Sequence, residues 1–496
     1  MLSVIVFLPL TAAVALVAAP GLSDAAARRA WLTVTAADLA LVVCVWLRYE
    51  PPAPGELAFA ERLAWIPGVG ASYHVGVDGL SLPLVALTAV VFTACAAHAL
   101  REGDRPRRQA ALLLFLETTC LGVFVAADLI LFFVFFDLSI VGMYFVIAGW
   151  GHGDARRSAV TFFLYTFLGS LALLLGFIGL WVAGEPGTFD MVELTGHPPF
   201  PTDSAGATLV LVALLLGFAV KTPIVPVHTW LPPAHTDAPA IGSAVLAAVL
   251  LKMGGYGFAR IAMPMLPAAW RALAPVILAF GIVSVLYGAL VALGQRDLKR
   301  MIAYTSVNHM GYLVVGLAAA GLVTSADASV RAVAVTGAVT QMVGHGLVTG
   351  ALFLLVGAFW DRARSYDVTR FGGLAGPAPR LATLFTVAAF ASLGLPGFIG
   401  FVAEFQVFVA SIAAAPVAAL ALPGILVTAA LFLRALRAVF AGPPGPGTTG
   451  FADLRSCETA AVAPLLLAAL LLGVVPRPLL DVIEPAAAAA AELVGR

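Results

Sequence analysis

Apolar runs of membrane-spanning length recur along the whole chain, separated by short segments that carry most of its charge. A helix needs about 20 consecutive apolar residues to cross a bilayer. By that measure the pattern predicts spans at roughly 2–20, 31–48, 77–99, 109–126, 128–150, 158–183, 206–228, 237–260, 272–294, 300–321, 332–360, 381–410, 416–440 and 458–476. Two of these fourteen are interrupted. In 206–228 the run ATLVLVALLLGFAV reaches Lys221 and then meets Pro223 and Pro226; in 381–410, Gly394, Pro396, Gly397 and Gly400 precede Glu404. Proline removes a helical hydrogen bond and clashes with the preceding turn. The predicted fold is therefore all-α, a polytopic membrane bundle of about 14 transmembrane helices with helices 7 and 12 broken.

An even number of spans returns both termini to one side. Eighteen of the 27 Lys and Arg, Arg101 and Lys299 among them, fall in loops on the opposite side; seven, Arg496 among them, share the side of the termini. The remaining two are Lys221 and Lys252, inside the spans. The positive-inside rule then puts the eighteen in the cytoplasm and both termini on the non-cytoplasmic side. The two broken spans are five apart, which suits two inverted five-helix repeats, spans 4–8 and 9–13. The chain divides accordingly into N-terminal helices 1–3 (1–108), a first repeat (109–260), a second repeat (272–440), and helix 14 with a tail (458–496).

Ionisable residues at membrane depth are costly and mark ion paths. Lys221 stands where its helix breaks, and Lys252 lies near the middle of the next span. One lysine snorkelling to an interface and the other held in a buried ion pair is the structural alternative. Only three residues are lysine, and two of them are intramembrane. Arginine keeps its charge in any protein setting, whereas a lysine can release its proton. Asp137 sits in LILFFVFFDLSIVGMYFVIAGW, where a carboxylate either finds a cation or stays protonated against a neighbouring helix. Glu404 lies in the broken twelfth span. His309 and His345 fall in spans 10 and 11, with Gln341 on the same helical face as His345. They are candidates for a proton relay, since histidine titrates near neutrality, or for interior hydrogen bonding. His228, beyond Pro226, is expected to face a cytoplasmic vestibule. Asp38 is assigned to structural hydrogen bonding, and Glu117 is an auxiliary acid candidate.

With 496 residues, 61% hydrophobic and 11% charged, and a mean hydropathy of +1.02, the chain reads as one integral membrane bundle rather than several soluble domains. Zero net charge leaves no electrostatic footprint for nucleic acid. Cys44, Cys95, Cys120 and Cys457 stand alone, which disfavours a disulfide framework, a zinc site or an iron–sulfur cluster. No dinucleotide or Walker fingerprint occurs. The N-terminus MLSVIVFLPLTAAVALVAAP lacks a basic leader and reads as a first span.

HVGVDGLSLPLVALT (74–88), the Asp137 segment, GFAVKTPIVPVHTWLPPAHTDAPAIGSAVLAAVLLKMGGYG, RDLKRMIAYTSVNHMGY, QMVGHGL and LPGFIGFVAEF together carry a resemblance. They resemble the subunit M family of respiratory complex I, the proton-translocating NADH:quinone oxidoreductase, over about residues 70–440. The chain ends after span 14, without the long lateral helix of the distal sister subunit. The resemblance implies a translocase subunit with no redox cofactor of its own, driven by NADH, FMN, iron–sulfur clusters and quinone in partner subunits. It implies neighbours that include sister antiporter-like subunits, in a bacterial inner membrane. It also implies that Lys221 pairs with the fifth-helix acid, that Lys252, His309 and His345 continue a polar axis, and that Glu404 delivers protons outward. The family's fifth-helix acid is normally glutamate; here it is Asp137, shorter by one methylene. A multi-subunit sodium/proton antiporter or an ion-pumping membrane hydrogenase remains an alternative parent complex.

Overall fold

The computed structural model describes residues 1–100, 103–185, 187–200, 202–322 and 328–495. Arg101 and Arg496, two of the loop cations counted above, lie outside the described residues. In chain order the elements are α1 (Leu2–Ala18), α2 (Asp24–Leu47), β1 (Ala58–Ile66), β2 (Ala71–Val77), α3 (Leu82–His98), α4 (Pro106–Val125), α5 (Leu129–Trp150) and α6 (Ala155–Ala183). There follow α7 (Met191–Gly196), α8 (Ala205–Lys221), α9 (Leu231–Asp237), α10 (Ala240–Met265), α11 (Pro267–Gly294), α12 (Leu298–Leu322) and α13 (Ala328–Ala363). The last are α14 (Pro379–Ser392), α15 (Ile399–Ala414), α16 (Pro416–Phe440), α17 (Ser456–Val474) and α18 (Arg477–Gly495). Among the described residues nine helices are long and apolar enough to cross a membrane; α1, α3, α8 and α15 are shorter apolar helices.

Burial separates the centre of the bundle from its rim. The most apolar 18-residue windows of α10 and α13 are 100% buried, whereas that of α2 is 28% buried. With α12, buried throughout 305–321, they make the centre of the bundle, so Lys252, His309 and His345 all stand on innermost helices. Close approach to α10 depends on small residues: a Cβ at Gly254 would fall 2.7 Å from the Phe218 carbonyl of α8.

Both broken spans are broken as their prolines require. After Lys221 the chain leaves the helix until Leu231. Its freed groups find partners: Trp230 Nε1 donates to the Val220 carbonyl at 3.0 Å, and the Val225 amide donates to Ser284 Oγ at 3.0 Å. Between α14 and α15, Gly394 (φ +76°) and Gly397 (φ +104°) take left-handed conformations that side chains disfavour. The Leu395 amide reaches back to the Phe390 carbonyl at 3.2 Å. Irregular backbone at membrane depth persists only with such internal partners.

Three features go beyond the helical pattern. The all-α bundle carries one antiparallel hairpin, β1–β2, and the third helix starts at Leu82 rather than near 77. Its strands are short and lie beside helix-length apolar runs, and Gly70 (φ +72°) turns between them. Side chains pin the hairpin to neighbouring loops: the Ser72 amide donates to Asp128 at 2.8 Å, and His74 and Arg62 meet Asp190 at 2.8 and 3.0 Å. The tail after helix 14 is itself a helix, α18, with Leu479, Ile483, Ala487, Ala490 and Val494 buried on one side. Lys299, counted among the loop cations, is wholly buried. It opens α12 beneath the carbonyls that end α9.

Candidate functional site

The second helix break and three buried helices, α10, α12 and α13, bring together Lys252, His345, His309 and Glu404. Lys252 follows a π-helical stretch, Leu246–Leu250, within α10. Such wide turns expose a carbonyl that an ordinary helix would occupy. The Lys252 ammonium donates to the Ala247 carbonyl at 2.6 Å and to His345 Nδ1 of α13 at 2.6 Å. His345 faces His309 of α12, ring centroids 5.3 Å apart. His309 Nε2 donates to the Ser392 carbonyl at 3.0 Å and stands 3.7 Å from Glu404 Oε1. Ser392 is the last residue of α14, so the second helix break supplies the carbonyl that orients His309.

Those bonds assign the proton positions. A carbonyl only accepts, so His309 Nε2 carries hydrogen and Nδ1 is the acceptor when the ring is neutral. His345 is arranged the same way, since Nδ1 accepts from Lys252. His309 Nδ1, His345 Nε2 and Gln341 Oε1 are buried without a hydrogen-bond partner. A cavity of about 10 Å³ touches His309, Gln341, His345, Ser392 and Glu404. Space of that size is about one water molecule's.

The first half of the site is arranged differently. Lys221, at the end of α8, is buried; its ammonium donates to Ser139 Oγ of α5 at 3.2 Å and lies 4.6 Å from the centre of the Phe136 ring. Asp137 forms no ion pair with it; the carboxylate lies beside Ser170 of α6, and Asp137 Oδ1 is buried without a hydrogen-bond partner. No side-chain hydrogen bond joins Lys221 to Lys252 among the described residues. Ser139 comes nearest to bridging them, 3.6 Å from the sulfur of Met253, the neighbour of Lys252. His228 is buried and packs edge-on to Tyr287 at 5.1 Å, instead of facing an open vestibule.

Ser139, Lys299 and His235 join the site only through the tertiary structure. Ser139 had a signal, as a hydroxyl two residues beyond Asp137 in an otherwise apolar run. Lys299 had one too, as the third lysine of a chain that otherwise uses arginine. Asp38 and Glu117 are fully buried, with no hydrogen-bond partner for either carboxyl. Among the described residues no group of three or more His, Cys, Asp or Glu is placed to hold a metal ion.

Known proteins share this arrangement of helices. A chain of respiratory complex I from Thermus thermophilus, solved with bound NADH, superposes with a TM-score of 0.89 at 31% identity over 100% of both chains. A chain of the Mrp complex from Dietzia sp. DQ12-45-1b superposes with a TM-score of 0.83 at 22% identity, over 99% of this chain and 52% of that one, a likeness of fold. NADH-quinone oxidoreductase subunit M of Rhodobacter capsulatus is 39% identical over 504 residues, 98% of this chain and 96% of its own. Residues 126–431 match the profile of the family described as NADH:quinone oxidoreductase/Mrp antiporter, TM. The chain is an integral membrane protein, and it belongs to the NADH:quinone oxidoreductase/Mrp antiporter transmembrane family.

Proposed function

We propose that the chain is a proton-translocating subunit of the membrane arm of an NADH:quinone oxidoreductase. Its relatives are named as subunits of that enzyme, and its own residues supply a route for protons. In this reading it crosses a bacterial cell membrane fourteen times, with both termini on the non-cytoplasmic side, and packs beside sister antiporter-like subunits. NADH, FMN, iron–sulfur clusters and quinone belong to partner subunits. The two broken helices, α8–α9 and α14–α15, hold equivalent places in two five-helix repeats.

The observation that carries the reading is the buried run Lys252–His345–His309–Glu404. A proton leaves the Lys252 ammonium for His345 Nδ1, and the ring releases its other proton from Nε2. It reaches His309 Nδ1 directly or through one water, and His309 passes a proton from Nε2 to Glu404. The second helix break then opens the way outward. Lys221 feeds this run under control of Asp137. With its ammonium on Ser139, a movement that brings Asp137 into contact changes the lysine's hold on its proton. Unit charges about 4 Å apart interact by roughly 4 kcal/mol at an effective dielectric near 20, about a thousandfold in proton affinity.

The test is proton translocation per NADH oxidised in inverted membrane vesicles carrying Lys252→Met complexes. Assembled complexes that oxidise NADH but translocate few protons support the reading; wild-type stoichiometry removes the axis. Translocation that requires sodium would instead favour a sodium/proton antiporter.

A further inference from the structure

We infer that protons are also taken up midway along the axis, from a cavity between the two repeats, through Tyr366, Lys299 and His235 to Lys252. The inference rests on the axis and orientation proposed above. It assigns a role to the third lysine, which that axis does not use.

The cavity, about 640 Å³, lies where the loop after α5, the start of α10 and the end of α13 meet. In the proposed orientation this is the cytoplasmic side. His152 and Tyr366 both line it. His152 Nε2 and the Tyr366 hydroxyl share a hydrogen bond of 3.0 Å, and His152 stacks on Trp360 with centroids 3.9 Å apart. Burial, then the charges of Lys299 and Arg364, push the His152 imidazole down to about 4, so it stays a neutral hydrogen-bonding ring beside Tyr366. Behind this pair the Lys299 ammonium lies 5.3 Å from the centre of the Tyr366 ring. It is wholly buried and donates to the Ala238 carbonyl, and to the Thr236 carbonyl at 3.4 Å.

His235 stands one residue from that carbonyl. Its ring is wholly buried, stacks on Phe353 at 4.4 Å, and has no hydrogen-bond partner on either nitrogen. The charged groups whose field reaches it are Lys299 and Lys252. Asp237 and Asp297 are the carboxylates whose charge reaches Lys299. A buried imidazole with two idle nitrogens, near enough to feel both lysines, suits a transient carrier. Lys299 passes a proton to His235 and regains one from water through the Tyr366–His152 pair. The imidazolium then refills Lys252 after that lysine has discharged to His345. Each transfer moves one proton, and no electron is needed.

Capping the carbonyls that end α9 is the competing role for Lys299, and arginine can also cap. The two roles therefore predict different results for Lys299→Arg, because arginine will not release its proton. In inverted vesicles carrying the whole complex, we expect Lys299→Arg and Lys299→Met each to cut protons translocated per NADH by about twofold, the share of one of two entry routes. Rescue by arginine, or wild-type stoichiometry in both variants, overturns the inference. Should either variant fail to assemble, a plug decides. Ala452→Cys, on the rim of the cavity, is introduced with Cys44→Ser and Cys457→Ser and labelled with a bulky hydrophilic maleimide. Labelling should lower translocation by a similar factor; full labelling without effect overturns the inference. Lys221→Met vesicles are the control. If they stop translocating while the Lys299 and plug experiments do nothing, only the midway uptake falls. If they too translocate normally, the axis falls with it.

Discussion

The ammonium of Lys252 donates a 2.6 Å hydrogen bond to Nδ1 of His345, joining two fully buried helices of the bundle across 93 residues of sequence. Both side chains are almost wholly shielded from solvent, and among the described residues no carboxylate pairs with the lysine. The imidazole is thus both its hydrogen-bond acceptor and the next place its proton can go. His345→Gln should keep an acceptor but cannot relay. Protons per NADH are expected to fall about tenfold or more, the scale on which acid–base groups act. Reconstituted vesicles with a pH-sensitive dye would read it, and unchanged stoichiometry would take His345 out of the path.

At the first helix break the ammonium of Lys221 rests on Ser139 and not on a carboxylate. Lys221→Met is expected to abolish translocation in an assembled complex, and Lys221→Arg to do nearly as badly because arginine holds its proton. Ser139→Ala removes one hydrogen bond to a charged group, worth about 1.5–3 kcal/mol. Its translocation rate should drop by roughly tenfold. A Ser139→Ala complex that translocates at the wild-type rate would show the contact to be incidental.

Asp137 lies off the lysine in this state, and its carboxylate sits about 1.5 Å closer to its own backbone than a glutamate's. Asp137→Glu restores reach and should preserve or improve translocation per NADH, unless the added methylene overpacks the site. Asp137→Asn removes the charge that controls Lys221 and should impair translocation strongly. The measurement compares the three complexes under identical NADH turnover. An asparagine variant equal to wild type would mean that Asp137 is not the lysine's partner.

Glu404 stands 3.7 Å from His309 and beside the second helix break. Glu404→Gln should slow proton release several-fold, because an amide cannot take a proton from an imidazolium, whereas Glu404→Asp should be milder. Single-turnover release, followed with a dye on the non-cytoplasmic side, separates the two. Equal rates would leave Glu404 a structural role.

The hairpin offers a prediction about stability. Burial alone would raise the Asp190 carboxyl, but its hydrogen bond to His74, with that ring's charge and Arg62 beyond, holds it below the usual carboxylate range. Because its folded value is lowered, this anchor contributes fully above the unfolded value, about 3.9. It is lost as pH falls through the lower folded value. Asp190→Asn should therefore destabilise the loops around β1–β2 by about 1–3 kcal/mol at pH 7, an effect that shrinks as acidification protonates the carboxyl. Limited proteolysis of the hairpin as the pH is lowered would show it. Equal protection of both forms at pH 7 would refute the anchor.

Much of this protein is legible without coordinates, because the bilayer imposes a length on every span and a penalty on every charge within it. The helices, the breaks after Lys221 and before Glu404, and the candidacy of Lys252, His309 and His345 all follow from that penalty and from proline's missing amide. The hairpin was not legible. Ala58–Ile66 and Ala71–Val77 pair through backbone groups, and what holds them down is a set of contacts to Asp128 and Asp190 more than fifty residues away. Nor could composition place Lys299. Beside Arg296 and Arg300 it reads as one more loop cation, and only the way the end of α9 folds over the start of α12 buries it. The resemblance implied that Asp137 and Lys221 are partners. Whether they touch depends on how α5 is rotated against α8, and that rotation puts Ser139 under the ammonium and turns Asp137 toward Ser170. Spacing along a helix determines which residues share a face. Which face meets which neighbour is settled by packing among helices far apart in the chain.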